Sequence, residues 1–205
     1  MPRGSGSYDW MAFVDGENLT LRGQSLAQKR SLDLKEGPYW RKDVFIWVPE
    51  VTADTRWIGV DLHLHLATKP LRAHYYTSVQ GDNTAIQEVR EALHRLRFAP
   101  KVIQKMSSQR SSKGVDISLA TDMLVNAFQG NYDVALLYAG DGDYVPLVEE
   151  LKRMGKVVYL VFFAHEGLSN DLRLACDHFV DLTHSFSYGW GGTRIETVGP
   201  SESLD

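Results

Sequence analysis

Two carboxylates stand one glycine apart in the stretch Asp133 to Val145, Asp-Val-Ala-Leu-Leu-Tyr-Ala-Gly-Asp-Gly-Asp-Tyr-Val, where an apolar run stops at Gly140 and delivers Asp141 and Asp143. The run is too short for an independent helix and rich in strand-forming types, so it reads as a buried strand ending in a charged loop. In open α/β sheets ligands bind beyond the carboxyl ends of the strands, and acids placed there are candidates for chemistry. They are equally candidates for capping the next helix, because Asp is favoured at an N-cap and in a first turn. The sequence leaves both readings open. A similar hand-over ends the hydrophobic run Tyr8 to Val14, which breaks into Asp15-Gly16-Glu17-Asn18. A further acid, Asp116, opens a helical pattern carried by Ala120, Met123, Leu124, Ala127 and Phe128. At 100° per residue it lies about 50 to 60° from the centre of that stripe, toward the sheet. Asp122 falls on nearly the opposite side and reads as a solvated or secondary residue.

Three or four converging carboxylates without compensating arginines repel in a low-dielectric cleft, unless some are protonated or a divalent cation neutralises them. Hard oxygen ligands select Mg²⁺ or Mn²⁺, and Mg²⁺ combines one or two protein carboxylates with waters and substrate phosphates. Phosphodiester hydrolysis is the chemistry that fits such a site. Lys113, in a polar, basic connection three residues before Asp116, is either a phosphate contact or a solvated loop lysine.

The elements that must position these residues alternate along the chain. Strand-like runs begin near Tyr8, Leu71, Val102, Asp133, Val157 and Phe179, separated by helical patterns near Thr20 to Gln28, Thr84 to Leu96, Asp116 to Phe128, Tyr144 to Met154 and Ser169 to Cys176. Such alternation predicts an α/β fold, a three-layer α/β/α sandwich with a central, mostly parallel sheet. Residues 8–183 read as one domain with an insertion at about 31–70, a lid or edge elaboration whose tryptophans are core or base-stacking residues. Residues 1–7 read as a disordered start and 184–205 as a flexible tail.

Composition narrows the classes. The 205 residues are 43% hydrophobic with a formal charge of −4, so a nucleic-acid partner must be held by a local basic patch or through a metal. Lys105, Arg110 and Lys113 are the candidates for that patch, with Arg95 and Arg97 beside them. The single Cys176 allows no internal disulfide and no zinc knuckle, and no apolar run approaches a membrane span. A cytoplasmic location is the expectation, with no membrane partner; homo-oligomer formation is left open. None of the seven histidines shows metal-ligand spacing with a third partner, and His63 and His65 read as one face of an edge strand.

Taken together, Asp15-Gly16-Glu17-Asn18, Lys113-Gly114-Val115-Asp116-Ile117, Asp122 and Gly140-Asp141-Gly142-Asp143-Tyr144 resemble, in order and context, the NYN domain, a PIN-like nuclease fold, in its bacterial LabA-like (DUF88) branch. The resemblance covers about residues 8 to 182. It implies a PIN-like, Rossmann-like topology and a metal-dependent ribonuclease acting on RNA. Its metal-binding and catalytic acids fall on Asp15, Asp116, Asp141 and Asp143, with Mg²⁺ or Mn²⁺ as cofactor. It also implies that Asn18 orients a ligand or water and that Lys113 contacts substrate. Two departures stand out: Ala139 replaces the small hydroxyl residue usual before Gly-Asp, and the 31–70 stretch is longer than the family's usual connection. Two other readings compete. Asp141-Gly-Asp143-Tyr-Val145 fits the nucleophile motif of haloacid-dehalogenase-type phosphatases, although that motif normally opens its domain. A nuclease-like module that only binds RNA or protein is the second.

Overall fold

The computed structural model describes residues 8–31, 70–105 and 113–183. The 31–70 insertion lies almost entirely outside the described residues, as do Arg110, residues 1–7 and the expected tail.

Six parallel strands form one sheet in the order β3-β2-β1-β4-β5-β6. In chain order they are β1 (Trp10–Asp15), β2 (Arg72–Gln80), β3 (Ala99–Lys105), β4 (Val134–Tyr138), β5 (Val157–Phe162) and β6 (His178–Asp181). The connecting helices are α1 (Gly16–Lys29), α2 (Asn83–Arg95), α3 (Lys113–Phe128), α4 (Val145–Arg153) and α5 (Asn170–Ala175). Strand order reverses between β1 and β4, which pair directly from Trp10↔Val134 to Val14↔Tyr138. At such a reversal the flanking connections run to opposite sides and a crevice opens beyond the strand ends.

The period-2 alternation of the strands sorts side chains into two cores. Trp10, Ala12 and Val14 join Leu136 and Tyr138 beneath α1 and α2, which contribute Leu19, Leu26, Ile86, Val89 and Leu93. Met11 and Phe13 join Ala135 and Leu137 beneath the other three helices, which contribute Leu119, Met123, Val148, Leu151 and Leu172. The expected α/β/α sandwich therefore forms. Asp15, next in phase after Met11 and Phe13, belongs to the second face, the one α3 and α4 cover. On that face His74 is buried and stacked against Phe13 and Tyr76, and among the described residues neither ring nitrogen has a hydrogen-bond partner. Burial holds its pKa below the ordinary value.

Boundaries differ from the sequence reading where caps decide them. Helix α1 starts at Gly16 rather than near Asn18, because Asp15 is its N-cap and accepts the Asn18 N–H at 3.0 Å. Helix α3 starts at Lys113, so that lysine opens a helix instead of sitting in the preceding connection. Phe128 is 85% exposed, contrary to its place in the expected stripe; the buried line is Val115, Leu119, Met123 and Ala127. Because α3 is apolar on both sides, apolar spacing alone does not fix which side faces the sheet.

Candidate active site at the carboxyl edge of the sheet

Two glycines let the chain turn off the sheet at the reversal point. A Cβ on Gly16 would run into the Tyr75 ring, and one on Gly140 into the Phe162 ring. Asn18 then ties the two exits together, its Oδ1 accepting the Gly140 N–H at 2.9 Å. Thus Asn18 spans the exits of β1 and β4, a positioning contact within the protein.

The acids are graded from floor to mouth. Asp15 is buried, with Oδ1 on the Asn18 N–H and Oδ2 3.0 Å from the Tyr144 hydroxyl. The same hydroxyl lies 3.2 Å from Asp116 Oδ1, so one buried phenol bridges the end of β1 and the first turn of α3. Asp116 is half-buried, whereas Asp141 and Asp143 are exposed. Asp141 is an N-cap: its Oδ1 accepts the Asp143 N–H at 3.1 Å and starts the short 3₁₀ turn Gly142–Tyr144. The capping reading holds for Asp141, and that turn carries Tyr144 inward. Among the described residues no three His, Cys, Asp or Glu side chains stand gathered as one ion-binding group.

Charge accumulates here. Burial, chiefly, pushes the Asp15 carboxyl up to about 7, with Asp116 and Glu17 adding to the rise and the Asn18 and Tyr144 bonds opposing it. Asp116 is raised by burial first, then by Asp141, Glu17 and Asp143, against the Tyr144 bond. Burial and these two acids hold the Tyr144 phenol far above its usual range, so it stays protonated as a donor. Unlike the members of a structural ion pair, Asp15 and Asp116 share a neutral hydroxyl, and among the described residues no ion pair to either is seen. A set of hard oxygen donors with excess negative charge fits a divalent cation.

Sequence reasoning missed Tyr144 and Glu17. Glu17 receives Lys105 Nζ at 2.8 Å and Ser78 Oγ at 2.6 Å, each member of the ion pair being 13% exposed. Lys105 is therefore engaged within the protein at the end of β3, not held out for phosphate. Arg95 and Arg97 are also displaced from the expected patch: α2 runs back from the carboxyl edge, and both arginines precede the start of β3 at the opposite edge. Asp122 is not simply solvated. It accepts from the Tyr76 hydroxyl at 2.9 Å and lies 3.5 Å from Lys101 Nζ, pinning the middle of α3 to β2 and β3.

A family model, the NYN domain, matches residues 10–183. Such domains are PIN-like and nuclease-like, and this match displaces the phosphatase reading. No curated protein matches the chain. Among solved structures, a protein of unknown function from Vibrio parahaemolyticus is similar at 20% identity with a TM-score of 0.58, over 90% of this chain and 98% of that one. At that identity the likeness speaks for the fold alone. No described helix is long and apolar enough to cross a membrane.

Proposed function

This chain belongs to the NYN domain family, and from that membership we propose that it is a metal-dependent endoribonuclease of the LabA-like (DUF88) branch, hydrolysing RNA phosphodiester bonds in the cytoplasm. Support for the reading comes from Asp15 and Asp116 sharing the Tyr144 hydroxyl where strand order reverses, both raised in pKa chiefly by burial, with Asp141 and Asp143 near enough to Asp116 to add to its rise. Asp15, Asp116, Asp141 and Asp143 are the residues that would hold Mg²⁺ or Mn²⁺. Bound there, the ion supplies a Lewis acid for a phosphoryl oxygen and a water of lowered pKa.

The chain's own residues do the rest. Asp15 forms the rigid floor, fixed by the Asn18 N–H and the Tyr144 hydroxyl. Tyr144 sets the spacing between Asp15 and Asp116. Asp141 and Asp143, exposed at the mouth, stand where a phosphate backbone would enter. Lys113 stands in the first turn of α3, three residues before Asp116, and is the residue proposed to contact substrate there.

One observation favours a second reading, a binding module without turnover. Asp141 spends an oxygen on its own cap, and Tyr144 stands between the other two acids. Incubating purified protein with labelled single-stranded RNA and Mn²⁺ or Mg²⁺ separates the two. Cleavage by the wild type and none by Asp141→Asn, with both folded, is the expected result; Asn still caps the turn, and less repulsion leaves stability equal or slightly higher. Full cleavage by Asp141→Asn, with contaminating nuclease excluded, would remove the activity from this site. RNA binding without cleavage by the wild type would select the binding module.

A further inference from the structure

We propose that Glu166 is a positioning residue for Asp141, acting through a clasp of contacts that closes around Gly140; this rests on the reading of Asp141 as a metal-holding acid. Gly140 is gripped from both sides. Its N–H donates to Asn18 Oδ1 at 2.9 Å, and its carbonyl accepts the Ser169 N–H at 2.8 Å. That carbonyl belongs to the planar peptide leading into Asp141, so the two bonds together limit the direction in which the Asp141 side chain leaves the backbone. A glycine has no side chain to hold it and tolerates many backbone angles, so losing either bond loosens that direction. Gly142 is pressed by the same neighbour. A Cβ there would come within 2.9 Å of Ser169 Oγ, which is engaged as the cap of α5, accepting the Leu172 N–H at 3.3 Å.

Ser169 is itself held at the end of a detour. β5 ends at Phe162, and α5 starts at Asn170 on the face of the sheet that α3 and α4 also cover. The chain between them first reaches α1, which packs on the opposite face. There Glu166 Oε2 accepts the Ser25 hydroxyl at 3.0 Å and Oε1 accepts Lys29 Nζ at 2.6 Å. Next to it Gly167 turns with a φ of 69°, and the Arg22 guanidinium lies where a Cβ on that glycine would stand. Asn18, Arg22, Ser25 and Lys29 recur at intervals of four, three and four, which puts them on one stripe about 60° wide. A single face of α1 therefore holds Gly140 at one end and the loop that returns to Gly140 at the other. Glu166 is 6% exposed, and it and Asp15 are the buried acids among the described residues. Burying a carboxylate is costly unless it is bonded. A loop that had only to reach α5 would need no such group, whereas a loop that must hold Ser169 against Gly140 gains a fixed anchor from it.

Amide hydrogen exchange of the full chain, followed by NMR, reads the clasp without any need for activity. In Glu166→Ala the Gly140 amide is expected to speed up by at least about tenfold more than the amides of Phe13 and Leu137, which pair in the centre of the sheet and report global opening. Glu166→Gln keeps an acceptor for Ser25 but loses the charge facing Lys29, and is expected to fall between wild type and Glu166→Ala. The Asp143 amide, whose acceptor is Asp141 Oδ1 at 3.1 Å, is expected to shift its resonance in the same order. With Mn²⁺ and RNA, Glu166→Ala is expected to lower kcat by about tenfold to about a hundredfold at unchanged KM, and Glu166→Gln to recover part of it. Equal acceleration at Gly140, Phe13 and Leu137 overturns the proposal, since Glu166 would then serve global stability alone. So does an unchanged Gly140 amide, or a loosened one with kcat intact. If the wild type cleaves no RNA, the nuclease reading falls by itself, and the Gly140 and Asp143 amides still decide whether Glu166 positions Asp141.

Discussion

Asn18 and Gly140 are 122 positions apart in the chain and joined by one hydrogen bond of 2.9 Å, from the Gly140 N–H to Asn18 Oδ1. Asn18→Ala leaves that buried N–H without its acceptor, at a cost of about 1 to 3 kcal/mol. Urea denaturation of the two proteins measures it. Because Gly140 leads directly into Asp141, the variant is also expected to lose more activity than its stability loss explains at temperatures where it remains folded.

Much of this arrangement was legible in the sequence and some was not, for identifiable reasons. Apolar runs ending in Gly140 and before Gly16 mark strand exits because a strand's length and its breaker are local properties. The alternation of elements gives the parallel sheet for the same reason. Whether Asp141 caps or binds is not local, since both uses need the same residue at the same place; the structure shows the cap. Tyr144 is invisible to spacing rules because its partners, Asp15 and Asp116, come from distant segments. Arg95 and Arg97 were misplaced although parallel strands alone send the end of α2 to the far edge.

The pH dependence of the metal-free protein follows from Asp15, whose pKa rises on folding from 3.8 to about 7. Between these values the folded protein binds more protons than the unfolded chain, so stability falls as pH rises. The contribution is fully present below about pH 4 and lost through about pH 7, on the order of 4 kcal/mol across the window. Denaturant titrations from about pH 5 to about pH 8 are expected to show this slope in the wild type and a flatter one in Asp15→Asn. Tyr144→Phe removes a bond that lowers both acids, so its window moves to higher pH. An equal slope in wild type and Asp15→Asn would place the proton elsewhere.

The Glu17–Lys105 pair at 2.8 Å is mostly buried, and Glu17 lies close enough to Asp15 and Asp116 to raise both. Lys105→Met strands that carboxylate beside two others, which costs about 3 to 5 kcal/mol. Glu17→Gln together with Lys105→Met removes both charges, and the double variant is expected to be more stable than Lys105→Met alone. A double-mutant cycle in urea decides the matter: additive costs would show that the pair is not coupled.

With Lys105 engaged by Glu17 and with Arg95 and Arg97 at the opposite edge, Lys113 is what remains, outside the undescribed stretch, of the basic residues proposed to meet RNA at the acidic edge. It opens α3 three residues before Asp116, where a helix N-terminus favours a phosphate. The chain's net charge of −4 supplies no long-range attraction, so binding rests on short-range contacts at the edge. Lys113→Ala is expected to weaken RNA binding and slow cleavage at low salt, and the deficit is expected to shrink as salt rises, because one fewer phosphate contact lowers the slope of log affinity against log salt by about 1. RNA affinity of the two proteins across a salt series, with metal concentration held fixed, measures both quantities. Equal affinities at low salt would show that Lys113 does not touch the substrate, and the cation that meets the phosphate would then have to be sought in the 31–70 stretch.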